Sequence, residues 1–366
     1  MCSDIVHYQY FLKQGLWLSS PADGASSELD LPTFLLSRQQ ATSGVVSRFS
    51  EREEFQNEVT ILKLQRQSHV EALKAVKARL DSAGVPFVLL KGLGCDYYYP
   101  EQGLRDLGDI DLFVREENYG QAALAFGLKT TRLDSPKHFR TEVEGITIEV
   151  HRHCEIMPSR KADRQFRRLA DEGLLANPAT LSIDGITVNV PSDNFNAIYL
   201  FTHFFNHFLG GGCGLRQVCD WMLFLHARSD SLDREYIITA LKSLGLTNAW
   251  RIFGAMAVCY LGMPAEEMPL YDRRLRRRGG KLLHVMLDMG NFGSSRKQER
   301  KRRFGASFFG RKLGSFLGAV GHSAEMLTLF PVHSVRGFAH TLTGSTAKTF
   351  RQIRGGDRRS SRGLTP

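Results

Sequence analysis

The sequence predicts an α+β fold in which a half of mixed helices and strands gives way, near residue 190, to a half that is wholly helical. Three observations predict it. Short apolar runs too brief for helices stand between turn residues at 87–90 and 109–114. Apolar segments flank Glu144-Gly145 and Asp184-Gly185 as the arms of hairpins do. After Pro191 and Ser192 only helical spacing of apolar residues is found. The 366 residues, 42% of them hydrophobic, suffice for two packed units, because single cores stop growing at about 250 to 300 residues.

Residues 1–50 are expected to form a helical segment. From Ser50 to Leu80 the apolar positions Phe55, Val59, Leu62, Val70, Leu73 and Leu80 recur at helical multiples, and Gly84 and Pro86 stop the run. Phe87-Val88-Leu89-Leu90 then reads as a buried strand closed by Lys91-Gly92, followed by a short helix from Asp96 to Tyr99 that Pro100 ends. A loop carries Arg105 and Gly108. Asp109 to Val114 alternates as a half-buried strand, and a helix reaches Phe126. Residues 138–143 and 146–151 are expected to pair, as are the two arms within 181–190. Helices follow at 193–209, 214–228, 233–245, 248–261 and 281–289. The expected domains are therefore 1–50, an α/β domain over 51–190, a helical domain over 191–345, and a basic, disordered tail over 346–366.

The formal charge of +10 is unevenly placed, since residues 271–366 hold 21 basic and 5 acidic residues while residues 1–270 hold 27 basic and 33 acidic. The basic clusters, Arg273 to Arg278, Arg296 to Arg303 and Arg351 to Arg362, are interleaved with Phe304, Phe308, Phe309 and Phe316. They suit a peripheral contact with an anionic membrane or polyanion, or simply a solvated face. No nucleic-acid motif accompanies them, so sequence-specific nucleic acid is not an expected partner. Six scattered cysteines without a CxxC pair argue against a disulfide framework. The absence of a long apolar run and of a signal-peptide pattern points to a cytoplasmic protein.

On a strand, residues two apart lie about 6.6 Å from each other on one face, so Asp109 and Asp111 present two carboxylates together while Ile110 points into the core. Such a pair suits a hard divalent ion, which takes one or two carboxylates together with substrate phosphates. Lys91-Gly92, at a strand-to-helix junction, offers a cation and close backbone approach to a phosphate. Glu149 and His151 share a face of a later strand.

These residues, Leu90-Lys91-Gly92, Tyr98-Tyr99-Pro100, Leu104 to Leu112 and Ile148 to His151, resemble the uncharacterised nucleotidyltransferase family within the polymerase β-like superfamily. His203 to His207 and Gly214 to Trp221 resemble the helical part of the same family, and the likeness spans about residues 80–230. Better-characterised superfamily members carry Gly-Ser where this chain has Lys91-Gly92. The resemblance implies a polymerase β-like core, a short mixed sheet with flanking helices, and a C-terminal helical domain. It implies an enzyme that transfers a nucleoside monophosphate from an NTP such as ATP to a hydroxyl of a small molecule, sugar or protein, with pyrophosphate leaving. Asp109, Asp111 and Glu149 would be catalytic and would hold two Mg2+ or Mn2+ ions about 3.5 to 4 Å apart, Glu149 also favouring deprotonation of the acceptor. Lys91, Gly92, Arg105, Gly108 and Arg216 would face the nucleotide or acceptor, with His151 in support.

Three rival readings accompany this one. His203 and His207, one turn apart, could bind zinc with Cys213, Cys219 or His226, although their phenylalanine-rich helix favours packing. Gly210-Gly211-Gly212 lacks the strand and Lys-Ser/Thr of a phosphate loop. Arg216 and Asp220 could form a salt bridge along one helix instead of facing a ligand. A protein that keeps the fold without turnover and docks through its basic region is the alternative function.

Overall fold

The computed structural model describes residues 2–18, 28–129, 137–210, 212–291 and 325–331. The chain divides into two compact units, residues 1–208 with 212–299, and residues 209–211 with 300–366. In the second unit the described residues include one short helical stretch at 325–329. The basic clusters at 296–303 and 351–362 and their interleaved phenylalanines lie outside the described residues, as does the expected tail 346–366.

Three helices open the chain: α1 (Cys2–Trp17), α2 (Leu31–Gln39), whose first turn is capped by Asp30 accepting from the Thr33 amide at 2.8 Å, and α3 (Ser43–Val46). Then come α4 (Glu53–Ser82), β1 (Val88–Leu89), α5 (Leu93–Asp96), β2 (Ile110–Phe113) and α6 (Tyr119–Ala125). Two hairpins follow, β3 (His138–Val143) with β4 (Ile146–His151), and β5 (Ala179–Ile183) with β6 (Ile186–Val190). Between the hairpins lies α7 (Arg160–Ala170), capped by Ser159, which the sequence reading did not predict. The helix expected at Asp96–Tyr99 forms earlier, at Leu93–Asp96, and with four residues it is too short for a helix-dipole anion site.

The six strands make one mixed sheet in the order β3-β4-β2-β1-β6-β5. Both hairpin turns place two successive residues at positive φ, Glu144 at 51° with Gly145 at 73° and Asp184 at 47° with Gly185 at 81°. That geometry matches the right-handed twist of the flanking strands and sets the register Val143 to Ile146 and Ile183 to Ile186. One face of the sheet is apolar: Ile110, Leu112, Phe139, Ile148 and Val150 pack in one cluster with Val70, Leu73 and Val76 of α4 and with Ala122 of α6. The opposite face carries Asp111, His138, Arg140, Glu149 and His151, with Phe113 beside them.

The rest of the first unit is helical: α8 (Asp193–Leu209), α9 (Leu215–Ala227), α10 (Arg234–Leu244), α11 (Thr247–Leu261) and α12 (Arg276–Met289). Their core is aromatic, with Trp221 and Trp250 meeting edge to face at 4.7 Å between centroids and Phe201 packed on both. Among the described residues Cys95, Cys154, Cys213, Cys219 and Cys259 are free thiols, and no helix is long and apolar enough to cross a membrane.

Candidate active site

Strand register builds the site. On parallel β2 and β4, Asp111 stands opposite Glu149 and Phe113 opposite His151. On antiparallel β3, Arg140 stands opposite Glu149 and His138 opposite His151. Strand alternation sends this set to the face away from the apolar cluster. Asp109, just before β2, joins them, and ligand atoms of Asp109, Asp111 and Glu149 all lie within 4.8 Å of one another.

Asp111 is 1% exposed and Glu149 7%, so their charges require nearby compensation. Asp111 Oδ1 accepts from His151 Nε2 at 2.9 Å, and its Oδ2 lies 3.1 Å from the Lys91 ammonium. Glu149 Oε1 accepts from Arg140 Nε at 2.6 Å, while Oε2 is 3.3 Å from His151 Nε2. Burial pushes the Asp111 carboxyl up, but Lys91 and the His151 hydrogen bond outweigh it and hold the group well below the usual range. Glu149 is drawn down to about 2, again against burial, chiefly by its bond from His151. Burial lowers the His151 pKa, yet the two carboxylates leave it raised on balance. Asp109 is the exception: burial and the Asp111 charge raise it, and among the described residues no cationic group lies within ion-pair distance.

Lys91 reaches Asp111 because Gly92 turns the chain at φ 66°, ψ −113°, a conformation open to glycine. The same ammonium donates to His203 Nε2 on α8 at 3.2 Å, and His203 Nδ1 donates to Glu155 Oε2 at 3.1 Å. Glu155 also accepts from Lys137 at 3.2 Å and from the Ile156 amide at 3.0 Å. Both nitrogens of His203 are thereby engaged. Among the described residues the converging metal-type groups do not include His203, His207, Cys213, Cys219 or His226, and His226 is paired with Glu267 at 2.6 Å.

The loop that delivers Asp109 is clamped from two sides. From α4, Gln65 donates to the Leu107 carbonyl at 2.7 Å, and His69 Nε2 donates to the Gly108 carbonyl at 2.8 Å. From α9, Arg216 Nη1 donates to the Asp106 carbonyl at 2.6 Å. Asp220 of α9 takes a two-pronged bond from Arg105, with Nε and Nη2 each at 2.8 Å, and a third from the Tyr99 hydroxyl at 2.9 Å. The structure thus places Arg105, expected beside phosphates, in a buried pair with Asp220. Arg216, expected toward a ligand or against Asp220, holds the loop carbonyl.

The geometry gathers Lys91, Gly92, Asp109, Asp111, Glu149 and His151, and it gives Arg105 and Gly108 to the supporting loop and Arg216 to the helix that holds it. Sequence reasoning missed Glu155, Lys137, His138 and Arg140. The last two were accessible, because the two-residue turn at Glu144-Gly145 sets which β3 residues face Glu149 and His151. No curated protein and no solved structure matches this chain. A family model described as uncharacterised nucleotidyltransferase matches residues 33–262, more than half of the sequence and the whole of this carboxylate site. The chain belongs to that uncharacterised nucleotidyltransferase family.

Proposed function

We propose that this protein is a metal-dependent nucleotidyltransferase that moves a nucleoside monophosphate from an NTP to a hydroxyl of a small molecule, sugar or protein, with pyrophosphate as the second product. The observation that carries the reading is the convergence of Asp109, Asp111 and Glu149 within 4.8 Å, faced by Lys91. Family membership supports the reaction class. We read residues 51–190 as a polymerase β-like core and the helices after 191 as a second wall.

The donor set fits magnesium or manganese: three carboxylates, with Asp109 the one whose pKa burial and Asp111 raise in spite of Lys91. Bound there, the ions supply Lewis-acid polarisation of the phosphate and neutralise charge as it develops. Lys91 spends two N–H groups on Asp111 and His203, and its third would be left for a phosphate oxygen. Gly92 keeps the backbone beside Asp109 free of a side chain. Glu149, with Oε1 on Arg140 and Oε2 beside His151, is held ionised and would ligate the cation through a remaining lone pair rather than take a proton from the acceptor. Arg105, Arg216, Gln65 and His69 keep the loop before Asp109 in place.

The test is pyrophosphate release from each NTP with magnesium and a metabolite pool. Release by the wild type and not by Asp109→Ala supports the reading. Equal release by both contradicts it.

A further inference from the structure

Beside the three carboxylates lies a second cluster whose chemistry differs: ligand atoms of His138, Glu149 and His151 also lie within 4.8 Å of one another. It arises from strand register, since His138 faces His151 across the β3–β4 ladder and Glu149 is two residues before His151 on the same face. His151 Nε2 is 3.3 Å from Glu149 Oε2, and His138 Nε2 is 3.9 Å from Glu149 Oε1. Two ligands on a tetrahedral zinc ion, bonded at about 2.0 to 2.1 Å, stand roughly 3.3 to 3.4 Å apart. His151 Nε2 and Glu149 Oε2 are already at that spacing, and the His138 ring, whose Nε2 now faces the other oxygen, has to turn toward Oε2 to complete the set.

Two further features suit a metal. Glu149 Oε1 accepts from Arg140 at 2.6 Å while Oε2 faces His151, the arrangement of a ligating carboxylate steadied through its second oxygen. The His138 side chain is 21% exposed, which gives an ion a path in, whereas His151 is 5% exposed and fixed in place.

We propose that His138, Glu149 and His151 form a site for a borderline-soft divalent cation of the zinc class, distinct from the oxygen-only site at Asp109 and Asp111 and sharing Glu149 with it. Imidazole nitrogens favour zinc over magnesium. On binding, His151 presents the Nε2 lone pair to the ion, its ring proton then residing on Nδ1, and the hydrogen bond to Asp111 is given up. The inference goes beyond nucleotidyl transfer and does not depend on turnover.

Zinc titration of the metal-free full chain against a chelator of known affinity tests it, with His138→Ala and Asp109→Asn beside the wild type. The expected result is one equivalent of zinc, affinity at least tenfold weaker in His138→Ala, and affinity within threefold of wild type in Asp109→Asn. No saturable binding, an unchanged affinity in His138→Ala, or an equal loss in Asp109→Asn overturns the proposal. X-ray absorption on the zinc-loaded wild type gives a reading free of any folding defect in a variant: scattering from two imidazoles is expected, and its absence overturns the site. Absence of nucleotidyl transfer leaves each of these readings untouched, so the two accounts fail separately.

Discussion

Lys91 donates to Nε2 of His203 at 3.2 Å, and because an ammonium cannot accept, this contact fixes the ring as the tautomer protonated on Nδ1, which donates to Glu155 at 3.1 Å. A row of groups, Asp111, Lys91, His203 and Glu155, thus joins the polar face of the sheet to α8.

That row makes stability acid-sensitive. Burial and Lys91 lower the His203 pKa to about 3, so between about pH 6.5 and 3 the unfolded chain binds a proton that the folded one refuses, and stability falls as pH drops. Glu155 acts in the same direction at lower pH: burial raises its pKa, but His203 and Lys137 outweigh burial and hold it below the usual range. His151, raised on balance, has the opposite sign, its stabilisation present at low pH and lost as pH rises through its folded pKa. His203→Gln should remove about 3 kcal/mol of the loss between pH 7 and 4. Denaturant melts of both proteins at the two pH values check this, the His151 contribution cancelling in the comparison.

Asp109→Asn should abolish activity and leave the melting temperature equal or higher. Burial and the charges of Asp111 and Glu149 outweigh Lys91 at its carboxylate, so neutralising it relieves repulsion. Asp111→Ala differs, because it strands the half-buried Lys91 and the buried His151 and should destabilise as well as inactivate. Thermal melts of the two variants side by side should separate them.

Arg105→Ala should cost about 3 to 5 kcal/mol, since it leaves Asp220 buried with only the Tyr99 hydroxyl where it had a two-pronged ion pair. Arg216→Ala, which removes the bond to the Asp106 carbonyl, should cost about 1 to 3 kcal/mol. Urea unfolding gives both numbers, and the reverse order would contradict the assigned roles.

Gly92→Ala should cost about 1 to 3 kcal/mol, because φ 66° with ψ −113° is strained for any residue with a Cβ. Its Cβ would also come 3.4 Å from the Asp109 carbonyl. Weakened nucleotide binding in the folded fraction, read by titration with a non-hydrolysable NTP, is the expected companion effect.

The carboxylate site was legible because strand alternation is a local rule: Asp109 with Asp111, and Glu149 with His151, need only a spacing of two to share a face. The hairpins were legible for the same reason, their turns carrying residues suited to positive φ. What escaped the sequence depends on distant partners. Asp220 is one helical turn from Arg216, which suggests a helix salt bridge, yet it pairs with Arg105, 115 residues away, because a buried carboxylate is better served by a planar fork and a hydroxyl. Lys91 meeting His203 crosses 112 residues and has no local signature. The helix α7 was missed because its apolar positions, Phe166 and Leu169 among them, are thinly spread through a charged run, though Ser159 was there to cap it.

The central claim is that the phosphate under attack is the α-phosphate. ATP, or whichever NTP the protein accepts, labelled at either the α- or the γ-phosphate and supplied with magnesium and a metabolite pool, tests it directly. The account predicts that α-label becomes covalently attached to an acceptor while γ-label appears only in pyrophosphate, and that Asp109→Asn does neither. Transfer of the γ-label to the acceptor, or α-label transfer that persists in Asp109→Asn, would contradict it.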